Sequence, residues 1–522
     1  MHDPMKSPIQ RRFSLVMACS FALLLSLPML DWALRLDRSP QLVENRRPTP
    51  RPALSLAAAS ILAYPGQYDR YFNDHFGFRN LLVRLHGMER VNLTGSGYDG
   101  RVIIGKEGWL FVNAGGGLLD TYRGAKPFSA DELVRYQLGL EERAGWLARR
   151  GIKYVFFIAP DSYDVYPEYL PDRVRRAGGR ERVDQLIDFL EAQTDLSIVD
   201  LRRTLRDAKQ AGRLYHKTDT HWNELGAYFA YSQVQAEIAR LLPASGAPSS
   251  LADFDTSVSL TQGKDLARNL GLQDKFMEEE IALRQRWPRL AARSQDAPLP
   301  SRFPPPYRIP FAYEVADASR PKALMLHDSF AEALAPFMSE HFRRIAYYWM
   351  MPMDLAVIEH EKPDIVIQEI VGRVASENIL SNPREFVDPK FNPLRKFLSG
   401  KTELPPEALE KKAPPKPADR PFVAACSYPA APNGAVAHRK GRDFYAYGWI
   451  ATNTDLNIAA EFNGSARPLR YELRKDVETK LPGHRYHVGW VLRIPGELVR
   501  DENKLEILVD GQSALALAVH AR

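Results

Sequence analysis

The sequence feature that most constrains the fold is a regular alternation of apolar and amphipathic segments between residues 129 and 371. The apolar segments are short, as expected for buried strands, and they occupy residues 153–159, 196–201, 322–326, 344–349 and 364–371. Longer segments with helical spacing of apolar residues lie between them, at residues 129–150, 181–192, 224–242 and 330–340. This alternation predicts an α/β domain whose sheet is parallel or mostly parallel and flanked by helices.

Length and composition limit the number of folded units and the kind of partner. A chain of 522 residues is too long for one compact core, so two or three units are expected. The 70 basic and 64 acidic residues leave a net charge of +6, and no run of Lys and Arg suggests a nucleic-acid track. With two cysteines, Cys19 and Cys426, a disulfide framework is not expected. The sequence also lacks CxxC, HExxH and phosphate-binding glycine motifs.

The N-terminal region predicts an exported protein. Residues 13–30 carry no charge and follow Arg11 and Arg12. At about 1.5 Å per residue, such a helix just spans a hydrocarbon core, and the arginines place its start in the cytoplasm. We therefore expect residues 1–35 to form a cytoplasmic tip and an uncleaved signal anchor, with a linker at 36–62. A cleaved signal peptide is the alternative, although residues 31–35 are a poor cleavage site.

Three further segments divide the rest of the chain. Residues 244–310 are polar and proline-rich, and we interpret them as an insertion or lid within a catalytic domain at 63–400. A Pro- and Lys-rich linker is expected at 401–421. Short alternating runs separated by turn signals then predict an all-β sandwich at 422–522, with carbohydrate binding as one interpretation. Its aromatic residues suit either the core or sugar stacking; they include Trp449, Tyr471, Tyr486 and Trp490.

Two short segments carry the residue types of a serine acyl-transfer site. Residues 215–223, YHKTDTHWN, hold Asp219 and His221 two positions apart, so that in an extended stretch both side chains point to one side. Ser329 lies between a predicted strand and a predicted helix, where backbone N–H groups can stabilise an oxyanion. Serine becomes a good nucleophile when an imidazole takes its proton and a carboxylate orients the imidazole.

The same residues allow simpler interpretations. His216, Asp219 and His221 contain the donors of a metal site, although no further ligand pair is evident in the sequence. Asp328 and Ser329 in front of a helix are also common helix-capping residues. Trp222 suits a hydrophobic core. Spacing alone therefore leaves catalysis, metal binding and a structural role open.

Five motifs that occur in a fixed order resemble those of a known family. They are YFNDHFGFRN, GKEGWLF, PDSYDVYPEYLP, KTDTHWN and MLHDSF. In this combination the chain resembles, over roughly residues 63–400, the alginate O-acetyltransferase family of periplasmic, SGNH-hydrolase-like proteins. The resemblance implies an SGNH-like fold in which Ser329 is the nucleophile, His221 the base and Asp219 the orienting acid.

The resemblance also implies a function and a location. It implies an acetyl-serine intermediate, transfer of acetyl to hydroxyls of an exported polysaccharide, and no cofactor or metal. A membrane-bound O-acyltransferase is the implied acetyl donor, and the periplasm, at the inner membrane, is the implied location. The sequence departs from the family where it carries His327, Tyr163 and a Val371–Arg373 segment. Candidate substrate-binding residues are Trp222, Tyr163 and Arg373.

Two other functions use the same residues. A polysaccharide O-acetyl esterase has the same triad with water as the acceptor, and the difference lies in how well the site excludes water. A non-catalytic glycan-binding assembly protein retains the fold without the chemistry. The identity of the polysaccharide is left open by the sequence.

Overall fold

The structure is a computed structural model of the full chain. The residues it describes are 8–39, 48–53, 58–93, 101–113, 118–172, 174, 179–294, 297, 309–349, 353–376, 422–428, 435–438, 441–452, 458–473 and 486–521. The predicted linkers at 36–62 and 401–421 lie partly or wholly outside these residues.

An exposed apolar helix begins the described chain. The N-terminal helices are α1 (Pro8–Leu34), α2 (Ala58–Asp74) and α3 (Arg79–Leu93). Residues Arg12–Leu34 of α1 have a mean hydropathy of 2.1, and none of this apolar stretch is buried. Its length and composition suit a membrane-crossing helix or a signal sequence. The carboxylate of Asp31 accepts the backbone N–H of Phe78 at 2.8 Å, which ties the end of α1 to the turn between α2 and α3.

A seven-stranded mixed sheet forms the centre of the chain, in the order β4-β3-β11-β9-β10-β8-β7. Its strands are β3 (Lys153–Ala159), β4 (Ser197–Asp200), β7 (Ala292–Ser294), β8 (Phe311–Glu314), β9 (Lys322–Leu326), β10 (Arg344–Tyr348) and β11 (Ile365–Val371). Neighbours from β4 to β10 run parallel, whereas β8 and β7 are added antiparallel at the β10 edge. The strands predicted from the alternation are those of the parallel part. Two antiparallel hairpins lie outside this sheet, formed by β1 (Val102–Ile104) with β2 (Leu110–Val112) and by β5 (Phe254–Gln262) with β6 (Met277–Gln285).

Helices cover both faces of the sheet, while α10 (Asp265–Asn269) packs against the β1–β2 hairpin. The other helices of this region are α4 (Leu118–Tyr122), α5 (Ala130–Ala148), α6 (Ser162–Val165), α7 (Arg182–Gln193), α8 (Leu201–Ala208), α9 (Glu224–Leu241), α11 (Ala335–Met338), α12 (Leu355–Glu361) and α13 (Gly372–Ala375). Alternate residues of each strand enter two separate cores, as the two-residue period requires. Phe157 of β3 lies in the core against α8 and α9, and Phe156 in the core against α5 and α7.

The helix predicted at 330–340 is broken into three pieces. A 3-10 helix at Ser329–Ala333 is followed by α11 and by a 3-10 turn at Ser339–His341. Pro336 explains the break, because proline has no N–H to donate to residue 332 and its ring clashes with that carbonyl in a continuous α-helix. The prediction of one continuous helix was therefore wrong.

The segment predicted as an insertion or lid has regular structure of its own. Its described part contains the β5–β6 hairpin, α10 and β7, which joins the edge of the main sheet. Most residues of β5 are exposed, so its sequence has no buried face from which a strand is easily predicted. The segment's role as a separate insertion stays a prediction.

The C-terminal region is rich in strands. One sheet has the order β12-β14-β18-β17 and the other β13-β20-β19-β15-β16. The strands are β12 (Phe422–Tyr428), β13 (Ala435–His438), β14 (Phe444–Thr452), β15 (Ile458–Phe462), β16 (Ser465–Arg467), β17 (Arg470–Leu473), β18 (Tyr486–Ile494), β19 (Glu502–Val509) and β20 (Gln512–Ala521). Both sheets contribute to one core, in which Trp490 is fully buried and cannot stack on a sugar. Trp449 is partly exposed, and the side chains of Tyr471 and Tyr486 lie outside the described part.

Candidate active site

Residues 215–223, which hold Asp219 and His221, form a closed loop between α8 and α9, the Asp-x-His loop. Tyr215 and Trp222 pair as an isolated antiparallel bridge, and the His216 N–H donates to the His221 carbonyl at 3.2 Å. Asn223 caps α9 by accepting the Gly226 N–H at 3.0 Å. The sequence interpretation assumed that this stretch is extended, and the structure shows instead that it is a loop. The two side chains meet because the loop turns between them, with Asp219 accepting the His221 backbone N–H at 3.1 Å.

Ser329 begins the 3-10 helix that follows β9, in a turn held from three sides. The Asp328 carboxylate accepts the N–H of Phe330 at 3.0 Å and the N–H of Val371, on β11, at 2.8 Å. Trp222 donates its indole N–H to the Phe330 carbonyl at 3.1 Å. The Phe330 N–H thus already donates to Asp328. It is therefore not available to stabilise an oxyanion, although the N–H groups at this helix start were expected to do so.

Ser329, His221 and Asp219 form one hydrogen-bonded chain. His221 Nε2 lies 2.7 Å from Ser329 Oγ, and His221 Nδ1 lies 2.6 Å from Asp219 Oδ1. Because the carboxylate only accepts, we assign the ring proton to Nδ1, which leaves Nε2 to accept the serine proton. Burial opposes ionisation of Asp219, but the hydrogen bonds from His221 together with the charges of His221 and His216 outweigh it and hold the pKa of the carboxyl well below its usual range. The arrangement has the geometry of a nucleophile, a base and an orienting acid.

Asp265, at the start of α10, is a fourth group at this site that the sequence interpretation missed. Its two carboxylate oxygens accept the Thr220 N–H at 3.1 Å and the Thr220 hydroxyl at 3.2 Å. Burial, and then the negative charge of Asp219, raise the pKa of Asp265 to about 6. The residue lies in the polar segment at 244–310, where no sequence pattern distinguishes it from a surface aspartate.

A metal ion is the alternative use of these side chains. One ligand atom each of Asp219, His221 and Asp265 lie within 4.8 Å of one another, whereas His216 is placed beside Glu278. Two ligands bound to one zinc ion at about 2.0 Å are roughly 3.3 Å apart in a tetrahedral site. The 2.6 Å contact between Asp219 and His221 is shorter, as expected for a direct hydrogen bond. The observed positions therefore suit proton transfer better than coordination by this pair.

The three candidate substrate-binding residues have largely buried side chains. Trp222 is 2% exposed and its ring packs edge-on against Phe330. Tyr163 is also 2% exposed and packs edge-on against Tyr122. Arg373 pairs with the buried Asp161, and its guanidinium lies over the Phe330 ring at 5.4 Å from the centroid. Trp222 and Arg373 contact Phe330 in the Ser329 turn, whereas Tyr163 packs in the core, and contact of the three residues with substrate stays a prediction.

A buried carboxyl pair lies behind the nucleophile. Glu369, in the middle of β11, is fully buried and accepts the Asp328 N–H at 2.9 Å. Burial, and then the charge of Asp328, raise the pKa of Glu369 well above its usual range, which favours its neutral form. A charged residue inside the apolar run 364–371 was the signal available in the sequence.

Replacement of Glu369 tests this protonation state. Glu369→Gln reproduces the shape, donor and acceptor of a neutral acid, so we expect the free energy of unfolding to change by less than about 1 kcal/mol. Glu369→Ala leaves a cavity and an unpaired Asp328 amide, with an expected loss of about 2–4 kcal/mol. Denaturant unfolding of both variants measures the difference. An equal loss in both would mean that Glu369 is ionised.

Comparison with known proteins supports the resemblance found in the motifs. Residues 102–299 match the family model described as an SGNH hydrolase-like domain, acetyltransferase AlgX. The matched segment includes Asp219, His221 and Asp265 and ends before Ser329. The suspected resemblance to this group of proteins is thus confirmed over a shorter range than residues 63–400.

Curated relatives match a similar length of chain. A probable alginate O-acetylase AlgJ of Pseudomonas syringae pv. tomato is 29% identical over 180 residues, which is 34% of this chain and 44% of the relative. The protein of the same name from Pseudomonas aeruginosa is 31% identical over 180 residues, 33% of this chain and 41% of the relative. The chain therefore spans less than half the length of these relatives. Among solved structures, the O-acetyltransferase domain of Pseudomonas putida AlgJ is similar with a TM-score of 0.36 and 18% identity, covering 58% of this chain and 99% of that domain.

Proposed function

We propose that this protein is a serine-dependent O-acetyltransferase that transfers acetyl groups to hydroxyls of an exported polysaccharide. The observation that carries the proposal is the chain from Ser329 Oγ through His221 to Asp219, with 2.7 and 2.6 Å between successive polar atoms. The names of the curated relatives, alginate O-acetylases, support acetyl as the group and a polysaccharide as the acceptor.

The reaction follows from the roles of the three side chains. His221 Nε2 takes the proton of Ser329 as Oγ attacks the acetyl carbonyl of a donor ester, and the imidazolium then protonates the departing donor oxygen. This leaves acetyl-Ser329 and neutral His221. A sugar hydroxyl next gives its proton to His221 while its oxygen attacks the acetyl carbon. The proton returns to Ser329 Oγ as the bond to the acetyl group breaks, which restores the enzyme. Asp219 stabilises the imidazolium in both halves.

The surrounding elements determine how firmly the hydrogen-bonded side chains of Ser329, His221 and Asp219 are held. Asp328, Trp222 and Arg373 fix the turn that carries the nucleophile, and we assign them positioning roles. The acetyl donor is an ester supplied by a membrane-bound O-acyltransferase, and α1 anchors the enzyme at the periplasmic face of the inner membrane. A carbohydrate-binding C-terminal region would keep the polymer near the site.

A two-substrate assay tests the proposal directly. The full chain, purified in detergent, is incubated with p-nitrophenyl acetate and either tetramannuronate or cellotetraose, and both products and the Ser329 peptide are analysed by mass spectrometry. We expect one acetyl group on Ser329 and acetylated tetrasaccharide. Release of all acetyl as free acetate, with both tetrasaccharides unmodified, would show an esterase instead.

Replacement of Asp265 is expected to change the pH dependence of kcat/KM. Above a pKa of about 6 it adds a second negative charge near the imidazole, which stabilises the imidazolium of His221. Asp265→Asn keeps an acceptor for Thr220 but removes this charge, so His221 becomes less basic. We expect the acidic limb of kcat/KM for p-nitrophenyl acetate to move to lower pH by about one unit, with a several-fold lower plateau.

The control for this prediction is Asp255→Asn. Asp255 lies on β5 in an exposed pair with Arg286, at 2.9 Å, and its loss is expected to leave the pH profile in place. A profile of Asp265→Asn that coincides with that of the unaltered chain would rule out an electrostatic contribution of Asp265. The charged groups that act on Asp265 are Asp219 and His221, while Lys264, its neighbour in sequence, pairs with Glu280.

A further inference from the structure

A cavity of about 330 Å³ lies at the edge of the main sheet, between the helical segment that begins at Ser329 and the strands β8 and β10. Two of its lining residues, His327 and Glu332, flank Ser329 in the sequence. The lining combines aromatic rings with a few polar side chains, among them Arg293, Phe311, Tyr313, Tyr347 and Trp349. A volume near 300 Å³ with few polar groups is in the range of small-ligand sites.

The topology of the sheet places this cavity next to Ser329. Strands β9 and β10 are parallel and end in register, with Leu326 beside Tyr348. The His327 N–H still donates to the Tyr348 carbonyl at 3.0 Å, so Ser329 and Trp349 leave the sheet at the same edge. This carboxyl edge is where open α/β sheets bind ligands.

The 3-10 helix then aims a second side chain at the same space. Such a helix has three residues per turn, so residues i and i+3 eclipse each other. Glu332, three residues after Ser329 in the helix Ser329–Ala333, therefore shares its face with the nucleophile and lines the cavity. The cavity wall thus includes the residue one 3-10 turn after the nucleophile.

The lining has the chemistry that binds a sugar ring. Phe311 and Tyr313 are partly exposed, and Phe311 is supported from below by the buried Tyr347, with ring centroids 4.8 Å apart and 14° between the planes. Partly exposed rings such as Tyr313 and Trp349 can pack against the C–H face of a pyranose. The Arg293 guanidinium lies over the Phe311 ring, 5.3 Å from its centroid, and is exposed at the mouth of the cavity. Its donors, with the acceptors of Glu332, suit sugar hydroxyls.

We propose that this cavity is an acceptor subsite, which holds a pyranose ring of the polysaccharide next to the sugar whose hydroxyl reacts at Ser329. The inference rests on the proposed function and names the part of the protein that selects the acceptor. Filling the subsite orients the acceptor hydroxyl and displaces water, which favours transfer over hydrolysis of acetyl-Ser329.

The experiment measures the acceptor's KM in the full chain with p-nitrophenyl acetate and the tetrasaccharide that the unaltered protein acetylates. Trp349→Ala removes a ring from the cavity, and we expect KM for the tetrasaccharide to rise about tenfold or more, by more than kcat falls. The ratio of acetylated sugar to free acetate should fall with it. Arg293→Gln, at an exposed position, is expected to raise KM about threefold or more.

Trp287→Ala is the matched control. Trp287 is 48% exposed and lines a different cavity of about 340 Å³ beside β6. Its loss should leave KM and the product ratio at the values of the unaltered chain. An unchanged KM in Trp349→Ala and Arg293→Gln, or an equal rise in Trp287→Ala, would overturn the subsite.

Failure of the proposed function gives a different result. In that case the unaltered chain releases acetate and acetylates neither tetrasaccharide. The subsite is then tested by calorimetric titration of each tetrasaccharide into the Ser329→Ala chain, with and without Trp349→Ala. Binding weakened about tenfold by Trp349→Ala supports the subsite without transfer, and binding that Trp349→Ala does not change rejects it.

Discussion

Ser329→Ala is expected to lower kcat for acetyl transfer by about ten-thousand-fold or more and to abolish the acetylated Ser329 peptide. The reason is that the hydroxyl is the only group of the triad that forms a bond to the acetyl carbon. Folding should be unaffected, because among the described residues this hydroxyl bonds to the side chain of His221, at 2.7 Å. Rates measured with p-nitrophenyl acetate and the tetrasaccharide check the prediction, and near-ultraviolet circular dichroism checks the fold.

The control is Ser257→Ala, an exposed serine on β5 beside the other cavity, which should retain full activity. A double variant of Ser329→Ala and His221→Ala provides a second check. If the two side chains act as one unit, the double variant is no slower than Ser329→Ala alone. Retained acetylation in Ser329→Ala with a native spectrum would refute the catalytic assignment and favour a different nucleophile or a metal-bound water.

The parallel part of the sheet was predictable because its signal is local. The strands β3, β9, β10 and β11 are apolar runs that are largely buried on both faces, and each is followed by a helix or turn with its own boundary signals. The hairpin β5–β6 was not predictable in this way, because β5 is exposed along most of its length and β6 places only Ile281 and Leu283 in the main core. Pro336 was a visible signal, since a proline at that position breaks a continuous helix.

The candidate site was predictable only in part. Ser329, His221 and Asp219 stand in short motifs, so residue type and order were enough to group them. Asp265 and Glu369 act through contacts between segments distant in sequence, to Thr220 and to Asp328. Nothing local marks such residues except, for Glu369, a carboxylate in an apolar strand. The cavity beside Ser329 depends on strand register, which one sequence does not reveal.

Glu278 on β6 holds the Asp-x-His loop from the side of the hairpin, and Glu278→Ala is the substitution expected to cost the most stability. Its buried carboxylate accepts the N–H and the hydroxyl of Thr218, at 2.9 and 2.7 Å, and pairs with Arg213. Removing one member of a buried ion pair leaves the other charge without compensation, so we expect a loss of about 3–5 kcal/mol in the free energy of unfolding. Because Thr218 directly precedes Asp219, kcat should fall as well.

The matched control for this loss is its neighbour, Glu279→Ala. The Glu279 side chain is 64% exposed and lies 3.5 Å from Arg213, so its pair should contribute less than about 1 kcal/mol. Denaturant unfolding followed by tryptophan fluorescence compares the two variants at pH 7. Similar losses would mean that burial of Glu278 does not strengthen its interactions and that the loop is held by other contacts.

The pH dependence of this contribution has a definite sign. Burial acts to raise the pKa of Glu278, but the nearby His216, the ion pair with Arg213 and the hydrogen bonds from Thr218 together outweigh it and lower the pKa to about 2 from a usual value of 4.5. A lowered folded-state pKa stabilises the protein above the unfolded value, and this stabilisation is lost as the pH falls from 4.5 towards 2. The difference between the unaltered chain and Glu278→Gln, which removes the charge but retains the shape, should therefore be constant from pH 7 to about 5 and shrink towards pH 3. A difference that stays constant to pH 3 would contradict the assigned charge on Glu278 and, with it, an electrostatic role for the hairpin in holding Asp219 and His221.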